Sequence, residues 1–427
     1  MEDLIFTGWQ GGSRGVVNII KGWKGVRMKT TRLAIVGGGY AGIKAGKTLD
    51  KIFRKDDLIE ITLIDKNPYH TLMTRIHEVA GHSIEPARIK VDFQQIFAKS
   101  KVKIITDLIE EIDFADLRLK SVATTYKFDY LILAGGSSPN DLGIKGVKEY
   151  GKLLWSAQDA QNIRDHIEKM FILASQEQDK PKELMTFVVV GGGFTGVEMA
   201  GELGELRERF SNKYSINKDE VLIYNIEATS RILGGLKDEG LVKKVENRYT
   251  ELGVRLLKES AIVEVTEDSI YLNNGRKIKT KTLIWGAGIK ANHLMDRLDL
   301  AQGNSGRIKV NPYMQSLQYE NVFLAGDNVH YQDETGFLPQ TVEAAEQTGY
   351  TAAVNIASLI LKKPLMRHKQ NYHGSVVSVG SKYAVANILG IKLSGTPASL
   401  IKRLINHYYL LTILGINKPL SGMQRCI

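Results

Sequence analysis

One pattern occurs twice in this chain and leaves few folds open: an apolar strand, a turn of the form Gly-x-Gly-x-x-Gly, a helix, and a second strand that ends in an acid. The first copy runs through the apolar residues Leu33 to Val36, GGGYAGIKAG (Gly37 to Gly46) and IEITLID (Ile59 to Asp65). The second runs through FVVVGGGFTGVEMAGEL (Phe187 to Leu203) and VLIYNIE (Val221 to Glu227). Apolar runs punctuated in this way predict parallel βαβ units. Short alternating segments follow each copy and close on an apolar run, YLILAGG (Tyr130 to Gly136) and TLIWGAG (Thr282 to Gly288). The fold class read from this repetition is α/β, with two Rossmann-type dinucleotide-binding domains.

The glycines have mechanical reasons. Gly37 permits the tight turn, Gly39 lets the backbone approach a diphosphate, and Gly42 lets the helix pack on the strand. The helix N-terminus, at Tyr40 and Ala41, then faces the phosphates. Asp65 is placed to accept hydrogen bonds from ribose hydroxyls, with Lys66 next to it. The second copy supplies Gly191, Gly193 and Gly196, with Phe194 and Thr195 opening its helix and Glu227 as its acid. Glu227 lies farther behind Gly196 than Asp65 does behind Gly42, which predicts a longer helix and loop in the second copy. An acid there repels a 2′-phosphate and favours NADH over NADPH, a preference that Arg231, four residues on, keeps moderate. Ala134, Gly135 and Gly288, at the ends of the closing strands, are further candidates for cofactor contact.

Composition narrows the chemistry. The 427 residues exceed one ordinary domain. A 43% apolar and 24% charged composition with no run of about 20 apolar residues is that of a globular chain whose membrane contact is peripheral. The net charge of +10 attracts anionic surfaces. No zinc spacing, helix-turn-helix or aromatic RNA-binding motif accompanies it, so nucleic acid is not an expected partner. The single cysteine, Cys426, excludes internal disulfides and fits a reducing compartment. Residues 1–28, rich in glycine and basic residues, read as a disordered leader, either an upstream start ahead of Met28 or a basic arm.

These motifs resemble the two-dinucleotide flavoproteins and, within them, the type II NADH dehydrogenases, single-subunit NADH:quinone oxidoreductases, over about residues 30–390. The resemblance implies FAD at Gly37, Gly39 and Gly42 and NADH at Gly191, Gly193 and Gly196. It also implies a closing turn at Gly326 and Asp327 in VFLAGD, where the aspartate meets the ribityl chain of the flavin. DKNPYHTLMTRIHE (Asp65 to Glu78) resembles the family's segment near the flavin, and Glu198 takes the place of a glutamate near the nicotinamide. PQTVEAAEQTG (Pro339 to Gly349) falls where the family has Ala-Gln-x-x-x-Gln facing flavin and quinone, which makes Glu343, Ala344 and Gln347 candidates. Val342 and Glu343 depart from that pattern at its first two positions. The implied organisation is an FAD-binding domain over 29–150 and 301–345, an NADH-binding domain over 151–300, and a C-terminal region over 346–427.

The expected acceptor is not a thiol, because a thiol acceptor belongs beside the flavin and Cys426 stands at the far end of the chain. No cluster or haem ligation motif is present, so electrons should leave FAD directly. In PASLIKRLINHYYLLTILG (Pro397 to Gly415), Leu400, Ile401, Leu404, Ile405 and Tyr408 recur at helical spacing, with Lys402, Arg403 and Asn406 on the other side. That pattern suits an amphipathic membrane-surface helix, or alternatively a packing or dimerisation helix. The leading expectation is hydride transfer from NADH to FAD and onward reduction of a membrane quinone, menaquinone included, at the cytoplasmic face without proton pumping. A soluble NADH oxidase or ferredoxin-type reductase, an NADH-sensing flavoprotein, and a homodimer stay open.

Overall fold

The computed structural model describes residues 29–177, 179 and 181–415; the expected leader and Cys426 lie outside them. The chain forms two compact units, each assembled from non-contiguous segments. One contains residues up to Pro68, Phe93–Ser137 and Ala291–Gln370; the other contains Tyr69–Asp92, Ser138–Lys290 and the residues from Asn371 onward.

In the first unit a five-stranded sheet has the order Val322–Leu324, Tyr130–Leu133, Thr31–Val36, Ile59–Asp65, Lys103–Thr106, and every neighbouring pair is parallel. Strands Val322–Leu324 and Tyr130–Leu133 and residues 33–36 of Thr31–Val36 are near-continuous apolar runs, as covered parallel strands are, and Ile35, Leu63, Ile132 and Phe323 are fully buried. Helix Tyr40–Phe53 packs on helix Val342–Ile360 so closely that a Cβ on Gly349 would stand 2.3 Å from the carbonyl of Ala41. Strands Ile109–Asp113, Arg118–Ser121 and Thr125–Lys127 form the expected antiparallel meander.

The second unit repeats the plan with Gly151–Leu153, Thr282–Trp285, Thr186–Val190, Leu222–Ile226 and Val254–Leu257, again all parallel. All five residues of TFVVV are buried. Helix Phe194–Tyr214 has 21 residues against 14 in Tyr40–Phe53, which accounts for the greater distance from Gly196 to Glu227. Strands Gly374–Ser378, Ala384–Ile388 and Ile391–Gly395 make an antiparallel sheet, and helix Thr396–Leu414 packs on it.

The unit boundaries differ from those drawn on the sequence: residues 138–150 fall in the second unit and 291–300 in the first, and three longer segments change place. Tyr69–Asp92 packs with the second unit because its helix Ile76–Ala80 lies against helices Ala157–Gln176 and Phe194–Tyr214. Helix Val342–Ile360 is continuous through residue 345 and stays wholly in the first unit, held by helix Tyr40–Phe53. The C-terminal sheet and helix belong to the second unit and are not a separate body. Among the described residues, no helix is long and apolar enough to cross a membrane.

Candidate cofactor and active-site residues

The two glycine turns have the same geometry. Gly37 and Gly191 take φ of 106° and 105°, a left-handed region open to glycine at little cost. The N–H of Gly37 donates to the Ile64 carbonyl and that of Gly191 to the Ile226 carbonyl, each at 2.8 Å. A Cβ on Gly42 would stand 1.8 Å from the Gly37 carbonyl oxygen, and one on Gly196 would stand 2.0 Å from that of Gly191. These contacts draw each helix onto its strand.

Beyond the turns the space is open. No heavy atom lies within 4 Å of where a Cβ of Gly39 or Gly193 would project, and neither helix start carries a side-chain cap. Tyr40 and Ala41 in one unit and Phe194 and Thr195 in the other begin helices whose first N–H groups have no intrahelical acceptor. A diphosphate fits such a cradle: the backbone can approach it closely, and the helix N-terminus favours its charge.

The acids match as well. Asp65 accepts from Gly38 N–H at 2.6 Å and from Asn67 N–H at 2.8 Å, while Glu227 accepts from Gly192 N–H at 2.6 Å and from Thr229 N–H at 2.8 Å. Burial pushes the Asp65 carboxyl upward, opposed by its two backbone hydrogen bonds and by neighbouring Lys66. Each acid thus fastens its own glycine turn, and a ribose would be a further partner.

The first unit also gathers the other residues expected around its cofactor. Ala134 N–H donates to Val36 at 2.8 Å, and Gly135 follows it beside Asn292 and Met295. After strand Val322–Leu324, Gly326 at φ 81° donates its N–H to Thr348 Oγ1 at 2.9 Å, which ties this turn to helix Val342–Ile360. The Ser137 hydroxyl donates to Asp327 at 2.6 Å. Burial pushes Asp327 upward, partly offset by Ser137 and the Arg307 guanidinium. Thr341 caps the helix at Ala344 N–H, and one turn separates half-buried Glu343 from Gln347, which places them on one face. In the second unit Gly288, at φ 75°, accepts from Asn140 N–H at 3.2 Å, near the end of the sheet strand Thr282–Trp285.

Glu198 is surrounded by partners that sequence reasoning missed. Its carboxylate pairs with the Lys402 ammonium, lies 3.3 Å from His77 Nδ1, and accepts from Ser378 N–H at 3.1 Å. Lys402 also donates to Ser378 Oγ at 2.7 Å, and Ser378 Oγ lies 3.3 Å from His77 Nε2. Burial alone would raise the Glu198 carboxyl, but the neighbouring charges and hydrogen bonds outweigh it and hold the carboxyl below its ordinary 4.5. Burial lowers His77 and so disfavours the imidazolium, against the pull of Glu198, which makes the Lys402 ammonium the principal counter-charge to Glu198. One turn along the same helix, Glu202 accepts from the Ser83 hydroxyl and is pushed by burial up to about 8. His77 stands in the segment quoted for its resemblance, yet nothing in its spacing points to Glu198. Lys402 was placed on the polar side of its helix; that side proves to be the one turned toward the protein.

Comparisons with known proteins follow the same lines. The chain is similar to the type II NADH:quinone oxidoreductases of Staphylococcus saprophyticus and Staphylococcus haemolyticus, at 27% and 26% identity over 390 residues, 90% of this chain and 96% of each relative. Its fold resembles NDH2 from Plasmodium falciparum in complex with NADH, with a TM-score of 0.83 at 16% identity over 93% of this chain and 98% of that one. It also resembles the sulfide:quinone oxidoreductase from Aquifex aeolicus, with a TM-score of 0.75 at 19% identity over 90% and 92% of the two chains. A family model matches residues 31–349, a span that takes in both glycine turns and both acids, and the chain therefore belongs to the pyridine nucleotide-disulphide oxidoreductase family.

Proposed function

We propose that the chain is a type II NADH:quinone oxidoreductase, which oxidises NADH and reduces a quinone without pumping protons. The observation that carries this reading is the pair of equivalent diphosphate cradles, each with its own acid, in a chain that covers nearly the whole length of relatives bearing that name. FAD would be held by Gly37, Gly39, Tyr40, Ala41, Gly42, Asp65, Lys66, Ala134, Gly135, Gly326, Asp327 and Ala344. NADH would be held by Gly191, Gly193, Phe194, Thr195, Gly196, Glu227 and Gly288. FAD held there would supply two-electron redox chemistry between NADH and a quinone.

The protein's own part is orientation and charge. Glu343 and Gln347 present a carboxylate and an amide on one helix face, and we place the quinone headgroup there. Glu198, kept anionic by Lys402, would position the nicotinamide or pass protons. The test separates the two half-reactions. Under anaerobic conditions one equivalent of NADH should bleach the flavin, and a menaquinone analogue should restore its absorbance rapidly. Glu198→Gln should slow at least one half-reaction. A flavin that NADH reduces and the quinone leaves reduced would replace this reading with a soluble reductase, and unchanged rates in both steps would remove Glu198 from it.

Peripheral attachment to the cytoplasmic face of a membrane is part of the proposal. In the middle of helix Thr396–Leu414 four large apolar side chains face outward beside Arg403, with Leu400 and Leu404 each 57% exposed and Ile405 and Tyr408 nearly as much. Leu389 and Ile391, at the preceding hairpin turn, are also exposed. The ends of the helix bury Ala398, Leu410 and Ile413, but along its middle the inward side chains are polar: Lys402 meets Glu198, Asn406 meets Thr74, and Tyr409 meets His70. An exposed apolar row of this kind suits a lipid surface, and the net charge of +10 suits an anionic one. Transferring a leucine from water to lipid is worth roughly 1.5–3 kcal/mol. Leu400→Glu combined with Leu404→Glu should therefore cut flotation with phosphatidylglycerol vesicles by more than about tenfold. Unchanged flotation would leave this face to a second copy of the chain or to another protein.

A further inference from the structure

We infer that Glu239 keeps this protein selective for NADH by holding Arg231 away from the place a 2′-phosphate would occupy; the inference rests on the second glycine turn being the NADH site. An acid at the end of the second strand repels a 2′-phosphate, but an arginine a few residues on commonly offsets that repulsion. This chain has both, Glu227 and Arg231, so the position of the guanidinium decides the outcome.

The connection after Glu227 is folded tightly against the turn. Leu233 N–H donates to the Gly192 carbonyl at 2.7 Å, and the Thr229 hydroxyl lies 2.8 Å from Glu227 Oε1 and 2.9 Å from the Arg231 carbonyl. The Arg231 backbone is thus one hydroxyl away from the acid that would receive the ribose. Its side chain is committed elsewhere. Arg231 Nη2 donates to the Leu236 carbonyl at 2.6 Å, and Nε lies 2.7 Å from Glu239 Oε1 in an ion pair whose N–H misses the carboxylate. Glu239 is the first residue of helix Glu239–Leu252, where its negative charge is favoured by the helix dipole, and its side chain is 79% exposed.

The contact is therefore breakable. An ion pair whose carboxylate is exposed and whose hydrogen-bond geometry is poor stabilises little, so it restrains the arginine without trapping it. When Glu239 is replaced, only the Leu236 carbonyl still holds the guanidinium, a single hydrogen bond that a 2′-phosphate, an anion that arginine binds well, can compete away as the side chain turns back along its own loop.

The test uses the flavin-loaded protein and the oxidised nucleotides, which bind without turnover, so the readout stands whether or not a quinone is the acceptor. Dissociation constants for NAD⁺ and NADP⁺ are measured by titration calorimetry. Glu239→Gln should tighten NADP⁺ by roughly 3- to 10-fold and change NAD⁺ by less than about twofold. Arg231→Gln in the Glu239→Gln background should abolish the gain. If Glu239→Gln leaves the ratio unchanged, Arg231 is not restrained by Glu239. If the gain survives the loss of Arg231, the effect is only the removal of a nearby negative charge, and the latch is likewise overturned. Proper folding of the variants is read from the unchanged NAD⁺ constant.

Discussion

Lys402→Met is expected to lower the unfolding free energy by about 3–5 kcal/mol at neutral pH, because it leaves the Glu198 carboxylate buried without a counter-charge. The remaining partners do not replace it: burial disfavours a charged His77, and Ser378 contributes only dipoles. The pH dependence identifies the cause. In the native protein Glu198 is held below 4.5, so its contribution is present above that pH and is lost as pH falls through the folded value. Without Lys402 the carboxyl rises and binds a proton in the folded state, so the variant's deficit should shrink between pH 7 and pH 5. Adding Glu198→Gln should recover most of the loss. Urea unfolding of the flavin-loaded proteins at the two pH values measures all of this. A deficit that does not depend on pH or on Glu198 would mean that Lys402 acts through packing alone.

The neighbouring carboxyl predicts an effect of opposite sign. Glu202 is 2% exposed and its folded value is about 8 against an ordinary 4.5. A group raised in this way contributes fully below the unfolded value, and its contribution falls away as pH rises through the folded one. For Glu202 the window runs from about 4.5 to about 8, across which the native state should lose roughly 3–5 kcal/mol relative to a chain with no titrating group at this position. Glu202→Gln has nearly the shape of the protonated acid and can still accept from Ser83. It should therefore stabilise the protein at pH 8 and do little at pH 5. Equal stabilisation at both pH values would show that the residue is not protonated in the folded state.

The legibility of the sequence followed from how local each signal is. The glycine turns could be read because Gly37, Gly39 and Gly42 act on atoms a few residues away, and the acid that fastens each turn ends the next strand. The length of helix Phe194–Tyr214 was visible as the interval from Gly196 to Glu227. The Glu198 cluster was not legible because its members come from Tyr69–Asp92, the second glycine helix, the C-terminal sheet and the last helix, and only the fold brings them together. The last helix shows the limit of periodicity. Its two faces could be separated on paper, but the usual rule that the apolar face packs inward would have turned its middle the wrong way, since Lys402, Asn406 and Tyr409 meet the protein there while Leu400, Leu404 and Ile405 are exposed. The unit boundaries failed for a related reason: Tyr69–Asp92 follows the first acid in sequence but finds its packing partners in the other unit.

The chain passes between its two units five times, at Pro68, Asp92, Ser137, Lys290 and Gln370, and this bears on how the protein is made. Strand Tyr130–Leu133 needs Val322–Leu324 as its outer neighbour, and the whole of the second parallel sheet is synthesised between them. At a ribosomal rate of about 5–20 residues per second, the first sheet waits on the order of 10–40 s with that edge unpaired, a template for strand addition by another nascent chain. The second sheet closes earlier, once Thr282–Trp285 has emerged between Gly151–Leu153 and Thr186–Val190. Folding on the ribosome therefore completes the parallel sheet that begins later before the one that begins first, and a chain cut short before Val322 would carry an open edge in the sheet that starts at Thr31–Val36.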